Sequence, residues 1–251
     1  FGERLDGVLR ANRAKLHGIL NGIDTQQYDP LTDPALAANY AVADLRPKRI
    51  NKQAVQRAFG LPATAVPVLA VVSRLTKQKG IDLLLDALDP FLRTHDAQVL
   101  VLGTGDPDLE HAFQIYQLAY PTKLGLALKF DVQLAQQLYA GSDLFLMPSA
   151  FEPCGLSQMM AMHYGTLPIV HAVGGLRDTV TPYNRYTGRG TGFSFDDYRP
   201  AVLGQTLERA VTLYTQQPRI WAHLQRQAMT VNFGWKKSAR RYAAIYQLLM
   251  S

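Results

Sequence analysis

Asp143-Leu144-Phe145-Leu146-Met147-Pro148 leads through Ser149-Ala150 into Phe151-Glu152-Pro153-Cys154-Gly155-Leu156. The first stretch is a short apolar run that reads as a buried strand, and Leu156 to Tyr164 reads as a helix. The turn between them then sits at the carboxyl end of a strand and the amino end of a helix. In an open α/β sheet, ligands bind at that edge. Free N–H groups at a helix start favour anions, phosphates above all. Gly155 lets a ligand approach the main chain without a Cβ in the way. Pro153 stiffens the turn and removes one donor. Glu152 is the odd member, because a carboxylate repels phosphates. Its expected partner is a neutral polar group such as a sugar hydroxyl. The plainer alternative is a strand–helix corner with Glu152 in solvent.

Outward from this turn the same alternation repeats. Val68 to Val72 is a continuous apolar run, as in a strand covered on both faces. Further strands are expected at Val99–Leu102, Leu126–Phe130, Leu144–Met147 and Leu167–Val170. Helices are expected at Ile81–Leu92, Pro107–Tyr120, Val132–Ala140 and Leu176–Val180. Such alternation implies βαβ units and a parallel sheet, with right-handed crossovers that put helices on both faces. Thr181 to Gly192 reads as a loop. After Phe195 the chain turns helical, at Pro200–Thr215, Arg219–Met229 and Trp235–Met250. On the amino-terminal side, Phe1 to Lys15 is weakly helical, with Leu5, Val8 and Leu9 on one face. Asn21-Gly22-Ile23-Asp24 is a turn signal, and Tyr28 to Tyr40 reads as a surface loop. Arg46 to Phe59 reads as a helix with Lys48, Arg49, Lys52 and Arg57, a basic face most simply in solvent rather than a nucleic-acid patch.

Composition narrows the classes. The 251 residues are 47% hydrophobic and 18% charged, as in a soluble globular protein long enough for a sizeable core. The net charge of +6 suits phosphate-bearing small ligands as well as nucleic acid. The single cysteine, Cys154, rules out an internal disulfide and points to a reducing cytoplasm. No apolar run is long enough to span a membrane and no signal-peptide core opens the chain. A start at Phe1 without Met suggests a piece of something longer.

A second stretch, Ser73-Arg74-Leu75-Thr76-Lys77-Gln78-Lys79-Gly80, follows the first strand of the sheet. Arg74 and Lys79 are therefore expected on the same edge as Glu152. Arg offers a planar fork for phosphate oxygens and Lys a compact charge. Gly80 opens a helix whose amino end adds donors. The bland alternative is a loop of solvated cations. Other features have dull readings that serve better. Cys154 has no neighbouring His and fills a turn. Asp106-Pro107-Asp108 reads as a helix start, with Asp106 as N-cap, rather than a metal site. Gly103-Thr104-Gly105 lacks the third glycine of a dinucleotide fingerprint. The histidines lack ligand spacing. Gly174-Gly175 fits a phosphate turn or tight packing equally. Trp235, Ala239, Tyr242, Tyr246 and Leu249 recur at helical spacing, which reads as core rather than a carbohydrate platform.

Taken in order, Ser73–Gly80, Gly103-Thr104-Gly105-Asp106-Pro107, Phe151–Leu156 and Tyr164-Gly165-Thr166-Leu167-Pro168 resemble the carboxy-terminal half of bacterial glycogen synthases and plant starch synthases. Lys15 to Asp24 resembles the segment joining that family's two domains. The resemblance implies a Rossmann-like parallel sheet with helices on both faces, the carboxy-terminal half of a GT-B glycosyltransferase ending in a helical segment. Residues 1–24 would be the interdomain segment, 25–235 the nucleotide-sugar-binding domain and 236–251 a C-terminal helix. It implies retaining transfer of glucose from ADP-glucose to the 4-hydroxyl of an α-1,4-glucan. The implied catalytic residues are Arg74 and Lys79, on the diphosphate, and Glu152, on glucose hydroxyls. The implied donor-binding residues are Ser73, Gly103, Phe130 near the base, and Cys154, Gly155, Leu156 and Ser157. No cofactor, metal, nucleic acid or membrane is implied. The acid that many related transferases carry eight residues after the first Glu is Met160 here, and Ala172-Val173 precede the Gly-Gly turn where basic and small polar residues are commoner. The family's amino-terminal domain is absent, so the chain alone is expected to be inactive. Two alternatives are a module that holds nucleotide or glucan without chemistry and a related transferase with another acceptor.

Overall fold

The computed structural model describes residues 5–250. Its helices are α1 (Asp6–Ala11), α2 (Lys48–Ala58), α3 (Ile81–Thr94), α4 (Pro107–Ala119), α5 (Val132–Gly141), α6 (Ser157–His163), α7 (Gly174–Thr179), α8 (Pro200–Gln216), α9 (Pro218–Met229) and α10 (Trp235–Met250). Its strands are β1 (Val68–Val72), β2 (Gln98–Leu102), β3 (Leu124–Ala127), β4 (Leu144–Met147), β5 (Leu167–His171) and β6 (Phe193–Phe195). Every strand pair is parallel, and the order across the sheet is β3-β2-β1-β4-β5-β6. The apolar runs become central strands because both faces are covered. On one side α3 packs against α4 and α8. On the other, α5 packs against α2 and α6, and α6 against α9. Leu69, Leu100, Phe145 and Ile169 are wholly buried between the layers.

Chain order runs outward from β1 to β3, then returns to add β4 on β1's other side. Leu69 pairs with Val99 on one flank and Leu144 on the other. This reversal opens a crevice at the carboxyl ends of β1 and β4, the topological switch point of a doubly wound sheet.

Five expectations change. The third strand is Leu124–Ala127 rather than Leu126–Phe130. Lys129 N–H turns back onto the Ala127 carbonyl, and Asp131 caps α5 by accepting from Leu134 N–H at 2.9 Å. The chain must leave the sheet in between. A sixth strand, Phe193–Phe195, follows the loop, which closes on itself through the Pro182–Gly192 bridge. The segment from Tyr28 to Tyr40 is not simply surface: Asp33 and Tyr40 are buried, and their side chains bond the Tyr164 hydroxyl and carbonyl. At the next helix start Asp106 takes the N-cap position without a side-chain bond, and Glu110 instead accepts from Gly105 N–H at 2.7 Å.

The fifth concerns basic and aromatic faces. Lys48 and Lys52 of α2 are buried rather than solvated. Lys48 Nζ donates to the Ala140 carbonyl (2.7 Å), the Tyr164 carbonyl (3.2 Å) and Thr166 Oγ1 (2.8 Å). It thus sits at the carboxyl ends of α5 and α6, where carbonyls lack helical partners and a cation is favoured. Lys52 Nζ pairs with Asp143 Oδ2 at 2.7 Å, and the same oxygen accepts from Val68 N–H at 2.9 Å. Conversely, Trp235, Tyr242, Tyr246 and Leu249 of α10 are exposed, so their helical spacing does not mark core. Ser238 Oγ binds the Leu20 carbonyl at 2.6 Å, which fastens the start of α10 to the amino-terminal strap.

Candidate functional site

The loops after β1 and β4 meet across the switch point. Ala150 N–H donates to the Gln78 carbonyl at 3.0 Å. Gly80 has φ +72, and a Cβ there would collide with the Pro148 carbonyl oxygen, so glycine alone allows the loops to close. Across that junction Lys79 Nζ pairs with Glu152 Oε2 at 2.6 Å, and Ser149 Oγ lies 3.4 Å from the same oxygen. Glu152 is therefore buried on a cation, neither solvated nor facing only neutral groups. Its main-chain carbonyl accepts from Gly175 N–H at 3.2 Å, so the Gly-Gly turn braces this loop from behind. His171 braces it from below, with Nδ1 2.9 Å from the Ser149 carbonyl.

Two adjoining cavities open along the crevice. One of ≈ 220 Å³ is lined by Ser73, Arg74, Lys79, Pro148, Ser149 and Ser157. The other, ≈ 370 Å³, is lined by Tyr28, Arg74, Gly103, Phe130, Tyr139 and Met160 among others, and shares Ser73, Arg74 and Ser157 with the first. Arg74 is exposed and makes no ion pair among the described residues. Gly103 has φ +154, and a Cβ there would collide with the Ser73 carbonyl, so the floor stays flat against β1's loop. Phe130 is 88% exposed at the rim, on a turn held by the Lys129–Asp131 pair at 2.8 Å. That contact holds the Asp131 carboxyl below its ordinary range.

Of the residues singled out from sequence, Ser73, Arg74, Lys79, Gly103, Phe130, Leu156 and Ser157 line these cavities. Glu152 reaches them through Lys79. Cys154 and Gly155 do not line them: their carbonyls accept from Gln158 Nε2 at 3.1 and 3.0 Å. Tyr28, Tyr139 and Met160 also line the larger cavity and were not singled out as part of a positive site. Burial pushes the Tyr139 hydroxyl up to about 12, with a hydrogen bond from Ser157 pulling it back. Val132, Ala135 and Tyr139 share one face of α5, and Ser157 and Met160 one face of α6, a spacing that reads equally as core. Among the described residues no group of three His, Cys, Asp or Glu could hold a metal ion, and no helix is long and apolar enough to cross a membrane. A roomier cleft, ≈ 670 Å³ beside β6, contains none of the motif residues, so its size does not outweigh the chemistry at the switch point.

A parallel six-stranded sheet in this order, with helices on both sides and cations at its switch point, is one Rossmann-like half of the GT-B glycosyltransferase fold. The chain belongs to the glycosyl transferases group 1, whose sequence pattern matches residues 53–224. It is 73% identical over 250 residues to a glycogen synthase of Lactiplantibacillus plantarum, covering 100% of this chain and 52% of that protein. It is 53% identical over 251 residues to a glycogen synthase of Streptococcus gordonii, again covering 100% of this chain and 52% of the relative. The chain thus spans about half the length of these curated relatives. Among solved structures it resembles the catalytic domain of starch synthase IV from Arabidopsis thaliana bound to ADP and acarbose. That match has a TM-score of 0.91 and 35% identity, covering 98% of this chain and 51% of the other.

Proposed function

We propose that this chain is the donor-binding, carboxy-terminal half of a glycogen synthase that moves glucose from ADP-glucose to the non-reducing 4-hydroxyl of an α-1,4-glucan with retention. One observation carries the reading: Arg74, Lys79 and Ser157 line one small cavity that continues beneath the exposed ring of Phe130. A nucleoside diphosphate has the matching order, anionic at one end and flat at the other. In this reading Arg74 and Lys79 hold the diphosphate and offset the charge that grows on it as the glucosyl bond breaks. Ser157 adds a small polar hydroxyl to the wall that both cavities share. Phe130 covers the base, and Ser73, Gly103 and Leu156 shape the floor. Glu152 holds glucose hydroxyls and releases Lys79 to the phosphates when donor arrives. Cys154 and Gly155 act through the turn they form rather than through their own contacts.

No cofactor or metal is invoked: the leaving charge is met by the two cations. The acceptor glucan and the facing wall of the cleft belong to the remaining half of such a protein, so the chain by itself binds donor without turning it over. The compartment is the cytoplasm. The test is calorimetric titration of ADP, UDP and GDP into this chain, repeated with Arg74→Ala plus Lys79→Ala. ADP is expected to bind best. The double variant is expected to weaken it by at least about 100-fold, since each charge-assisted hydrogen bond is worth roughly 1.5–3 kcal/mol. Undiminished ADP binding in the double variant would sink the assignment. In full-length protein the same pair should abolish transfer, and unchanged transfer would show that the chemistry lies elsewhere.

A further inference from the structure

The opposite end of the sheet holds a second charged cleft that the donor reading leaves unused. It lies at the amino ends of β1 and β4 and encloses ≈ 380 Å³. Lys48, Arg49 and Lys52 of α2 form one wall, Asp143 the floor, and Tyr214 and Trp221 from α8 and α9 the far wall. Three cations face one carboxylate. Lys52 neutralises Asp143, and its ammonium is also held by the Tyr214 hydroxyl at 2.8 Å. Lys48 bonds only uncharged oxygens, at the ends of α5 and α6. Arg49 is exposed and makes no ion pair among the described residues. Burial holds the Lys48 ammonium down to about 7, so Arg49, fully charged, and Lys48, partly protonated, are left without a carboxylate partner.

Trp221 adds an independent observation. The residue is 4% exposed, lines this cleft, and its buried Nε1–H has no hydrogen-bond partner. A buried donor without an acceptor costs about 1–3 kcal/mol, and native structures carry few of them. The cleft lacks one component: a compact acceptor bearing negative charge. Its volume lies at the lower end of ligand pockets, roughly 300–1,000 Å³, so it suits a small molecule better than a nucleotide or a chain segment.

We propose that this cleft is a second anion site, separate from the donor crevice, for a small ligand carrying a phosphate group. Arg49 supplies the planar fork that phosphate oxygens prefer, Lys48 gains a counter-charge for its ammonium when the anion binds, and the Trp221 indole closes the far wall. The bound anion joins α2 to α8 and α9 and so bridges layers that otherwise meet here through Lys52 and Tyr214. Inorganic phosphate and a monosaccharide phosphate share this chemistry.

The protein contains two tryptophans, so Trp235→Phe leaves Trp221 as the sole indole reporter. Its fluorescence is followed while inorganic phosphate, a hexose phosphate or the neutral hexose is added, with ADP saturating so that the donor crevice is filled. Both phosphate ligands are expected to give a saturable change and the neutral hexose none. Arg49→Ala should weaken the apparent affinity by about tenfold or more, with Arg49→Lys in between, because a charge-assisted fork is lost. Equal affinities would assign the site to phosphate itself, and a tighter ester to a sugar phosphate. No saturable change with either phosphate, or an unaltered affinity in Arg49→Ala, overturns the proposal. Arg49 is exposed, so its variants keep the fold, which thermal melting without ligand checks.

Discussion

Glu152 shows how much one side chain's partner matters. A carboxylate near a diphosphate is a liability unless a cation is attached to it, and Lys79 is, at 2.6 Å. Glu152→Gln should therefore leave ADP affinity unchanged or tighter, because the freed ammonium serves the phosphates alone. Transfer by the full-length enzyme should nonetheless fall about 10–100-fold, the loss of one charge-assisted hydrogen bond of roughly 1.5–3 kcal/mol. Calorimetry with ADP beside a transfer assay separates the two effects. Parallel loss in both would mean that Glu152 only positions Lys79. Phe130 is the opposite kind of residue, with most of its ring in solvent. Phe130→Ala should shift folding stability by less than about 0.5 kcal/mol. It should weaken ADP by roughly 5- to 150-fold, the worth of one ring stacked on a base at about 1–3 kcal/mol. An equal ADP affinity in a well-folded variant would remove Phe130 from the base site.

At the scale of elements, α2 is fastened to the sheet by charge rather than by an apolar stripe alone. Lys52→Met leaves Asp143 buried beside Val68 N–H with no cation, which should cost about 3–5 kcal/mol in urea unfolding. Lys48→Met leaves carbonyl oxygens at the ends of α5 and α6 without their donor, at about 1–3 kcal/mol. Arg49→Met, on the exposed side, should change little. A similar small loss at all three positions would contradict the buried clamp. The periodicity of Arg46 to Phe59 shows a helix but not which face is covered. Lysines normally solvate, and only tertiary packing puts two of them inside, Lys48 against the end of α5 and Lys52 against Asp143 and Tyr214. The same limit applies to α10, whose aromatic spacing is regular while the face stays open.

For the whole molecule, acid sensitivity follows from burial. His163 closes α6, and burial holds its imidazole below the usual 6.5, with the Asp29 carboxylate opposing. A base with a depressed native pKa binds protons less readily than it does in the unfolded chain. Its contribution to stability is complete above about pH 6.5 and falls as pH drops through the window beneath, since the unfolded state then takes up the proton. Urea midpoints measured from about pH 7.5 down to pH 5 should decline, and His163→Gln should flatten that decline. An unchanged slope in the variant would assign acid sensitivity to other groups. The molecule also separates its charged sites by sheet polarity: the donor crevice lies at the carboxyl ends of β1 and β4, and the Lys48–Arg49–Lys52 cleft at their amino ends.

The sequence by itself determined the α/β alternation, the parallel sheet and the two loops that flank its switch point. Continuous apolar runs and strand–helix turns are local signals, set within a few residues of where they act. It placed Arg74, Lys79 and Glu152 on one edge for the same reason, since a residue after a parallel strand has only one end of the sheet to occupy, whereas Phe130 entered the site only through the family resemblance. Tertiary structure alone decided that Glu152 meets Lys79, that Tyr28 and Met160 share a cavity, and that Lys48 caps two helices. Those pairings join residues as many as 132 positions apart, and no periodicity encodes which distant groups packing brings within bonding distance.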